Sequence, residues 1–191
     1  MRTLHINDPQ AKAALRDLTN RGPRSAQRVR GKVGEIIEDV RNGGDAALRR
    51  WAEQWDGLQP GQPLQVPAKE LRAALDAVKP EFRRALEFAA ENIRRYCEWQ
   101  KPSEWTREIR PGVKVGQLVR PLESVGCYVP GGRYALPSTL LMTVIPAQVA
   151  GVRQISVASP RPALEILGTA HLLRVSHFFH MGGAHAIAAF A

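Results

Sequence analysis

Residues 125–152 read VGCYVPGGRYALPSTLLMTVIPAQVAGV, and this stretch decides the fold. It joins a short apolar strand, a Pro130-Gly131-Gly132 turn, a Pro137-Ser138 helix start and a long helix without an acidic residue. In that order the elements direct backbone N–H groups and the positive end of a helix dipole at one point, where an anionic group such as a pyrophosphate can sit. Downstream, a strand over 154–158, a helix over 163–173, a strand over 177–181 and a helix start from Gly182 follow by the same periodicity. Strand and helix alternate at the spacing of βαβ units, which predicts a parallel sheet with right-handed crossovers. Ligands of such sheets bind outside the carboxyl ends of the strands, here residues 128–132, 158–160 and 181–183.

Upstream the composition changes. The 71 residues after Arg120 contain only two acids, Glu123 and Glu165, whereas charge is dense and periodic before it. Pro23 can open a helix bearing Val29, Val33, Ile36, Ile37 and Val40, ending at Asn42-Gly43-Gly44, and Asp45 is a good N-cap for a second helix over 46–55. Pro67 opens a third helix with Leu71, Leu75 and Val78, and Pro80 a fourth with Phe82, Leu86, Ala89, Ile93 and Tyr96 on one face. Residues 105–119 mix β-branched side chains with Pro111-Gly112 and read as a hairpin. The expectation is an α/β chain in two parts. Residues 1–120 form a helical amino-terminal part of a larger domain, ending in the hairpin. Residues 121–191 form an incomplete Rossmann-like βαβ parallel sheet.

A length of 191 residues with 44% hydrophobic content suits one sizeable core or two small domains. A net charge of +9 invites a nucleic-acid partner. The distribution argues against one, because Arg83, Arg84, Arg94 and Arg95 alternate with Glu87, Glu91 and Glu98 as on a solvated helix face. No zinc-finger spacing or aromatic RNA-binding signature is present, and neither is a membrane-length apolar run or a secretory signal, so a cytoplasmic protein without nucleic-acid or membrane partners is expected. Cys97 and Cys127 form neither a disulfide framework nor a spaced metal motif.

The double glycine is not the usual dinucleotide fingerprint. G-x-G-x-x-G is absent, and the position about 20 residues downstream offers Arg153 instead of an acid for a ribose. Two readings fit: a cofactor turn, or a tight turn that merely needs positive φ angles. Tyr128, at a strand's carboxyl end, can stack on or hydrogen-bond a ligand, or belong to the core. His171, His177, His180 and His185 fall in the last 21 residues, but His177 and His180 would point to opposite faces of a strand, with no Cys, Asp or Glu nearby to complete a metal set. His185 lies on the first turn after Gly182-Gly183, where a polar side chain can meet a ligand. Cys127 sits inside an apolar strand, where burial makes a thiol inert. Ser138 and Thr139 suit a helix start better than a nucleophile's elbow.

Three blocks together resemble the histidinol dehydrogenase family. VGCYVPGGRYALPSTLLMTVIPAQVAGV is similar to its G-x-Y-V-P-G-G turn, P-S-[ST]-x-L-M helix start and P-A-x-V-A-G-V helix end. VRNGGDAALRRWAEQWDG (40–57) resembles its R-x-x-G-D-x-A-L…F-D-G element, and MGGAHAIAAFA (181–191) its V-G-G-A-Q-A-I-A-A block. The resemblance implies an NAD-dependent, zinc-containing oxidoreductase, a homodimer at full length, that oxidises L-histidinol through the aldehyde to L-histidine in histidine biosynthesis. It implies that Tyr128 and His185 contact NAD, His185 standing where the family has glutamine. The family's zinc ligands and its Glu-His proton-transfer pair lie beyond the last of these blocks, so no catalytic or metal-binding residue is assigned here, and the chain alone is expected to be catalytically silent. The alternative is a degenerate remnant that keeps only nucleotide binding or dimer formation. Because Ala191 falls inside the apolar run AHAIAAFA without a cap or polar tail, the sequence sets the expectation of a truncated chain, whose unfinished sheet leaves an edge uncovered and promotes self-association.

Overall fold

The computed structural model describes residues 3–191, the side chains of residues 20–28 excepted. Helix α1 spans Pro9–Trp51, with non-helical backbone at Gly44 (φ 51°, ψ −137°). The sequence reading opened this helix at Pro23. It opens instead at Pro9, where the missing N–H belongs to a turn with no intrahelical acceptor and the ring pre-sets φ. The expected division at Asn42-Gly43-Gly44 falls on the break, since positive φ at Gly44 has little cost without a Cβ. The chain then widens into one π-turn, Ala52–Asp56, and stops at Gly57 in the left-handed region (φ 75°). α2 (Ala68–Ala77) and α3 (Pro80–Gln100) follow as expected, then the hairpin strands β1 (Trp105–Arg110) and β2 (Val113–Gln117).

The second part alternates as predicted: β3 (Ser124–Tyr128), α4 (Pro137–Ala150), β4 (Gln154–Ala158), α5 (Leu164–Leu172), β5 (His177–Phe179) and α6 (Gly183–Phe190). Strands β3, β4 and β5 are parallel and lie side by side in that order, Val125 opposite Ile155 and Val157 opposite Phe178. The outer edge of β5 is covered by residues 64–66, because Val66 N–H donates to Phe178 O and His180 N–H to Leu64 O, both at 2.8 Å. Among the described residues no strand pairs with the outer edge of β3.

Side chains alternate across the sheet, and each face finds its own helices. Cys127, Val129, Ile155, Val157 and Phe178 pack against Leu140, Leu141, Val144 and Ile145 of α4 and Ile166 and Ala170 of α5, with Leu71 of α2 and Leu86 of α3 closing the layer behind. Helix α5 approaches α2 closely at Gly168, where a Cβ would lie 3.2 Å from the Leu75 backbone. The opposite face carries Tyr128, Ala158 and Phe179, covered by Ala184, Ala186 and Ala188 of α6 and by Ile36, Val40 and Leu48 of α1. The result is an α/β fold with helices on both faces of a parallel sheet. No helix among the described residues is long and apolar enough to cross a membrane.

Candidate cofactor site

At the carboxyl end of the sheet, the chain leaves β5, turns at Gly182 and starts α6. A helix start carries backbone N–H groups with no intrahelical acceptor. Two of them are met by side chains distant in sequence: Gly183 N–H donates to the Tyr128 hydroxyl oxygen at 3.2 Å, and Gly182 N–H donates to Asp56 Oδ2 at 2.7 Å. The same carboxylate oxygen lies 2.8 Å from His185 Nε2, so the ring donates Nε2–H to it. Asp56 is 5% exposed and His185 0%. A buried carboxylate is costly unless its lone pairs are met, and here a backbone amide and an imidazole meet one oxygen together.

The segment that delivers Asp56 is itself tied down. His180 Nε2 lies 3.0 Å from Asp56 O, so its Nε2–H donates there, and Arg161 donates to Trp55 O at 2.8 Å. The Trp55 ring stands 4.5 Å from Trp51 and 6.0 Å from the His185 ring, centroid to centroid. The π-turn matters here, because it brings the carboxylate to the helix start. With Nε2 committed to Asp56, the remaining ring nitrogen, Nδ1, is buried and unpartnered, and Gly183 is its near neighbour. The structure thus brings Tyr128 and His185 together around Gly182-Gly183.

The glycine turn lies beside this point. Neither Gly131 nor Gly132 has positive φ, so the tight-turn reading fails on its own terms. Gly131 is required by close approach: a Cβ there would stand 2.9 Å from the Pro160 side chain, where the loop after β3 meets the loop after β4. The two loops enclose a cavity of about 140 Å³ lined by residues that include Gly132, Tyr134, Ser159 and Arg161.

The other candidates separate. His177 faces Gln65 and Gln154 at 3.2 and 3.4 Å, away from His185. No group of three His, Cys, Asp or Glu able to hold a metal occurs among the described residues. Burial raises the Cys127 thiol's pKa above its ordinary value, and a hydrogen bond involving Thr143 only partly offsets this, in line with an inert thiol. In the sequence reading Asp56 stands only within the W-D-G that closes the 40–57 block, with no role of its own. The signal was the scarcity of acids after Arg120, since any carboxylate at this edge of the sheet then has to come from the first part.

Fold and site together define a parallel α/β protein with a polar cluster at the start of a helix, at the carboxyl end of its sheet. The family model for histidinol dehydrogenase matches residues 19–191. Histidinol dehydrogenase of Methanothermobacter thermautotrophicus is 43% identical over 183 residues, which cover 93% of this chain and 42% of that protein. That of Syntrophotalea carbinolica is 42% identical over 196 residues, covering 100% of this chain and 46% of the relative. The crystal structure of histidinol dehydrogenase from Elizabethkingia anophelis superposes with a TM-score of 0.79 at 32% identity, over 84% of this chain and 38% of that one. The chain belongs to the histidinol dehydrogenase family, and it spans less than half the length of these curated relatives.

Proposed function

We propose that this chain is the NAD-holding part of a cytoplasmic, homodimeric histidinol dehydrogenase, which oxidises L-histidinol through the aldehyde to L-histidine. NAD, when bound, supplies the hydride acceptor for each of the two oxidations. Within this chain, the proposed cofactor contacts are Tyr128 and His185. The observation that carries the proposal is their convergence on the Gly182-Gly183 start of α6, at the carboxyl end of the sheet where ligands of parallel α/β folds bind. The Tyr128 hydroxyl already accepts from Gly183 N–H and keeps its own proton to donate. His185 offers Nδ1, while Asp56 fixes the ring through Nε2. The helices of residues 1–120 then belong to a larger domain built with the rest of the family's length.

Zinc-assisted oxidation needs metal ligands and a base for the alcohol proton. The described residues present no such set, so no step is assigned to zinc here, and the isolated chain is expected to leave histidinol unchanged. A second reading, a remnant without cofactor, is favoured by one feature: His185 is completely buried against Asp56, so a ligand reaches Nδ1 only after Gly183 or the Trp55 ring shifts. Isothermal titration of the purified chain with NAD separates the two. Saturable binding that Tyr128→Phe weakens several-fold supports the cofactor role. Absence of heat at millimolar NAD, with the chain folded by circular dichroism, supports the remnant.

A further inference from the structure

Both glycine N–H groups at the start of α6 are taken. Asp56 Oδ2 holds that of Gly182 at 2.7 Å and the Tyr128 hydroxyl oxygen holds that of Gly183 at 3.2 Å, so neither is left for an anion. What remains for a ligand is the Tyr128 hydroxyl proton, a donor, and the buried, unpartnered Nδ1 of His185. A neutral imidazole carries one N–H and one bare nitrogen, and its neighbours decide which is which. His185 Nε2 has two: Asp56 Oδ2 at 2.8 Å and Gly182 N–H at 3.4 Å. A carboxylate only accepts and an amide N–H only donates, so they call for opposite tautomers. The carboxylate wins on distance and charge. A bare Nε2 would set two lone pairs against each other at 2.8 Å, while Gly182 N–H is already met by its shorter bond to the carboxylate. Nε2 therefore carries the proton, and Nδ1 is a bare acceptor.

Access to that acceptor runs past Gly183, which is exposed and has φ 57°. Beyond its own stretch of backbone, a Cβ built there would find only the His185 ring within 4 Å, Nδ1 at 3.6 Å and Cε1 at 3.7 Å. The missing side chain leaves a notch over the bare nitrogen. A further approach of about 0.5 Å brings an atom in the notch within hydrogen-bond distance.

We infer that Asp56 is a positioning residue that holds His185 in its Nε2–H tautomer, so that the site selects a ligand group by its hydrogen-bond donors and not by its charge. Nδ1 takes an N–H or O–H of the ligand, and the Tyr128 hydroxyl donates to an acceptor atom beside it. A phosphate or carboxylate oxygen is refused at Nδ1, because one lone pair would meet another. On the NAD reading, on which this part rests, a carboxamide or hydroxyl group lies at Gly183 and the diphosphate lies away from Nδ1. Removing the carboxylate reverses the selection. Gly182 N–H then has only Nε2 to donate to, the ring proton moves to Nδ1, and the acceptor becomes a donor. A side-chain amide has no tautomers, so this control exists only because residue 185 is a histidine.

The test reads the imidazole nitrogens of the full ¹⁵N-labelled chain by long-range proton–nitrogen correlation at about pH 8, above the ordinary imidazole range. His185→Gln identifies the His185 signals by their loss. The ligand-free chain is expected to show a protonated Nε2 and a bare Nδ1, and Asp56→Ala the reverse. Asp56→Asn keeps the original pattern, because its carbonyl oxygen still accepts from Gly182 N–H and from Nε2. NAD affinity falls about tenfold or more in Asp56→Ala and is largely recovered in Asp56→Asn. A protonated Nδ1 in the original chain overturns the inference, and so does an unchanged ring pattern or unchanged NAD affinity in Asp56→Ala folded by circular dichroism. Should Asp56→Ala fail to fold, the other two spectra decide: a bare Nδ1 in both supports the inference, and a protonated Nδ1 in either overturns it. The ring is read without ligand, so the expected patterns together with no NAD binding overturn the cofactor reading and leave the role of Asp56 supported.

Discussion

The two faces of the sheet are built from different chemistry. On the α4 and α5 side, Phe178, Val157, Val129, Leu140 and Ile145 are at most 1% exposed and lie in a continuous apolar layer closed by α2 and α3. On the α1 and α6 side, α6 covers the sheet mostly with alanines, and the buried groups include a carboxylate and an imidazole bonded to each other. The first face gains stability from area alone. The second holds Asp56 and His185 in a low-dielectric setting, where every unmet polar atom costs free energy, and one, His185 Nδ1, is unmet. Apolar side chains of similar volume there would be at least as stable, and the proposed cofactor contacts lie at this polar pair, at the start of α6.

The contrast breaks most sharply by truncation on the apolar side. Phe178→Ala removes a side chain 1% exposed at the centre of the layer and is expected to lower unfolding free energy by about 3–5 kcal/mol, read by urea denaturation. If the loss is below about 1 kcal/mol, the layer is not close-packed as described. On the polar side, Asp56→Ala removes the carboxylate from Gly182 N–H and His185 Nε2, leaves them only a long 3.4 Å contact with each other, and is expected to cost about 2–4 kcal/mol. His185→Ala combined with it should recover part of that loss, and additive losses would show that the two side chains do not act as a pair.

Smaller changes sharpen the picture. Gly131→Ala brings a Cβ within 2.9 Å of the Pro160 ring and is expected to cost about 1 kcal/mol, displacing the loop after β3 and reducing NAD affinity more than stability. Unchanged affinity would remove this loop from the site. The smallest effect is at Cys127. Its pKa is raised by burial, so the folded state prefers the neutral thiol; its contribution is complete below the unfolded value near 9.0 and is lost as pH rises past it. Cys127→Ser should flatten the alkaline limb of the stability curve, and an unaltered limb would mean that burial of this thiol has no bearing on it.

The alternating elements from Ser124 onward were legible because period, proline starts and glycine stops agree there: α4 and β4 occupy the residues that the pattern gave. The family was legible too, from three blocks of residues. Long-range pairing was not. Pro23 has the same local signature as Pro9, so pattern alone could not choose between them as the opening of α1. Asp56 reaches its partners across 126 and 129 residues, and periodicity carries no information on that scale. The sequence places Tyr128 and His185 at one edge of the sheet, but the hydrogen bond from Gly183 N–H to the Tyr128 hydroxyl emerges only from the packing.

The most direct test of the central claim is a titration of the ¹⁵N-labelled chain with NAD, following backbone amides by NMR. The account predicts that Gly182, Gly183 and Tyr128 shift together and saturably, while Gly168, on the far face between α5 and α2, stays in place. Shifts confined to other residues, or none at all at saturating NAD, would contradict it.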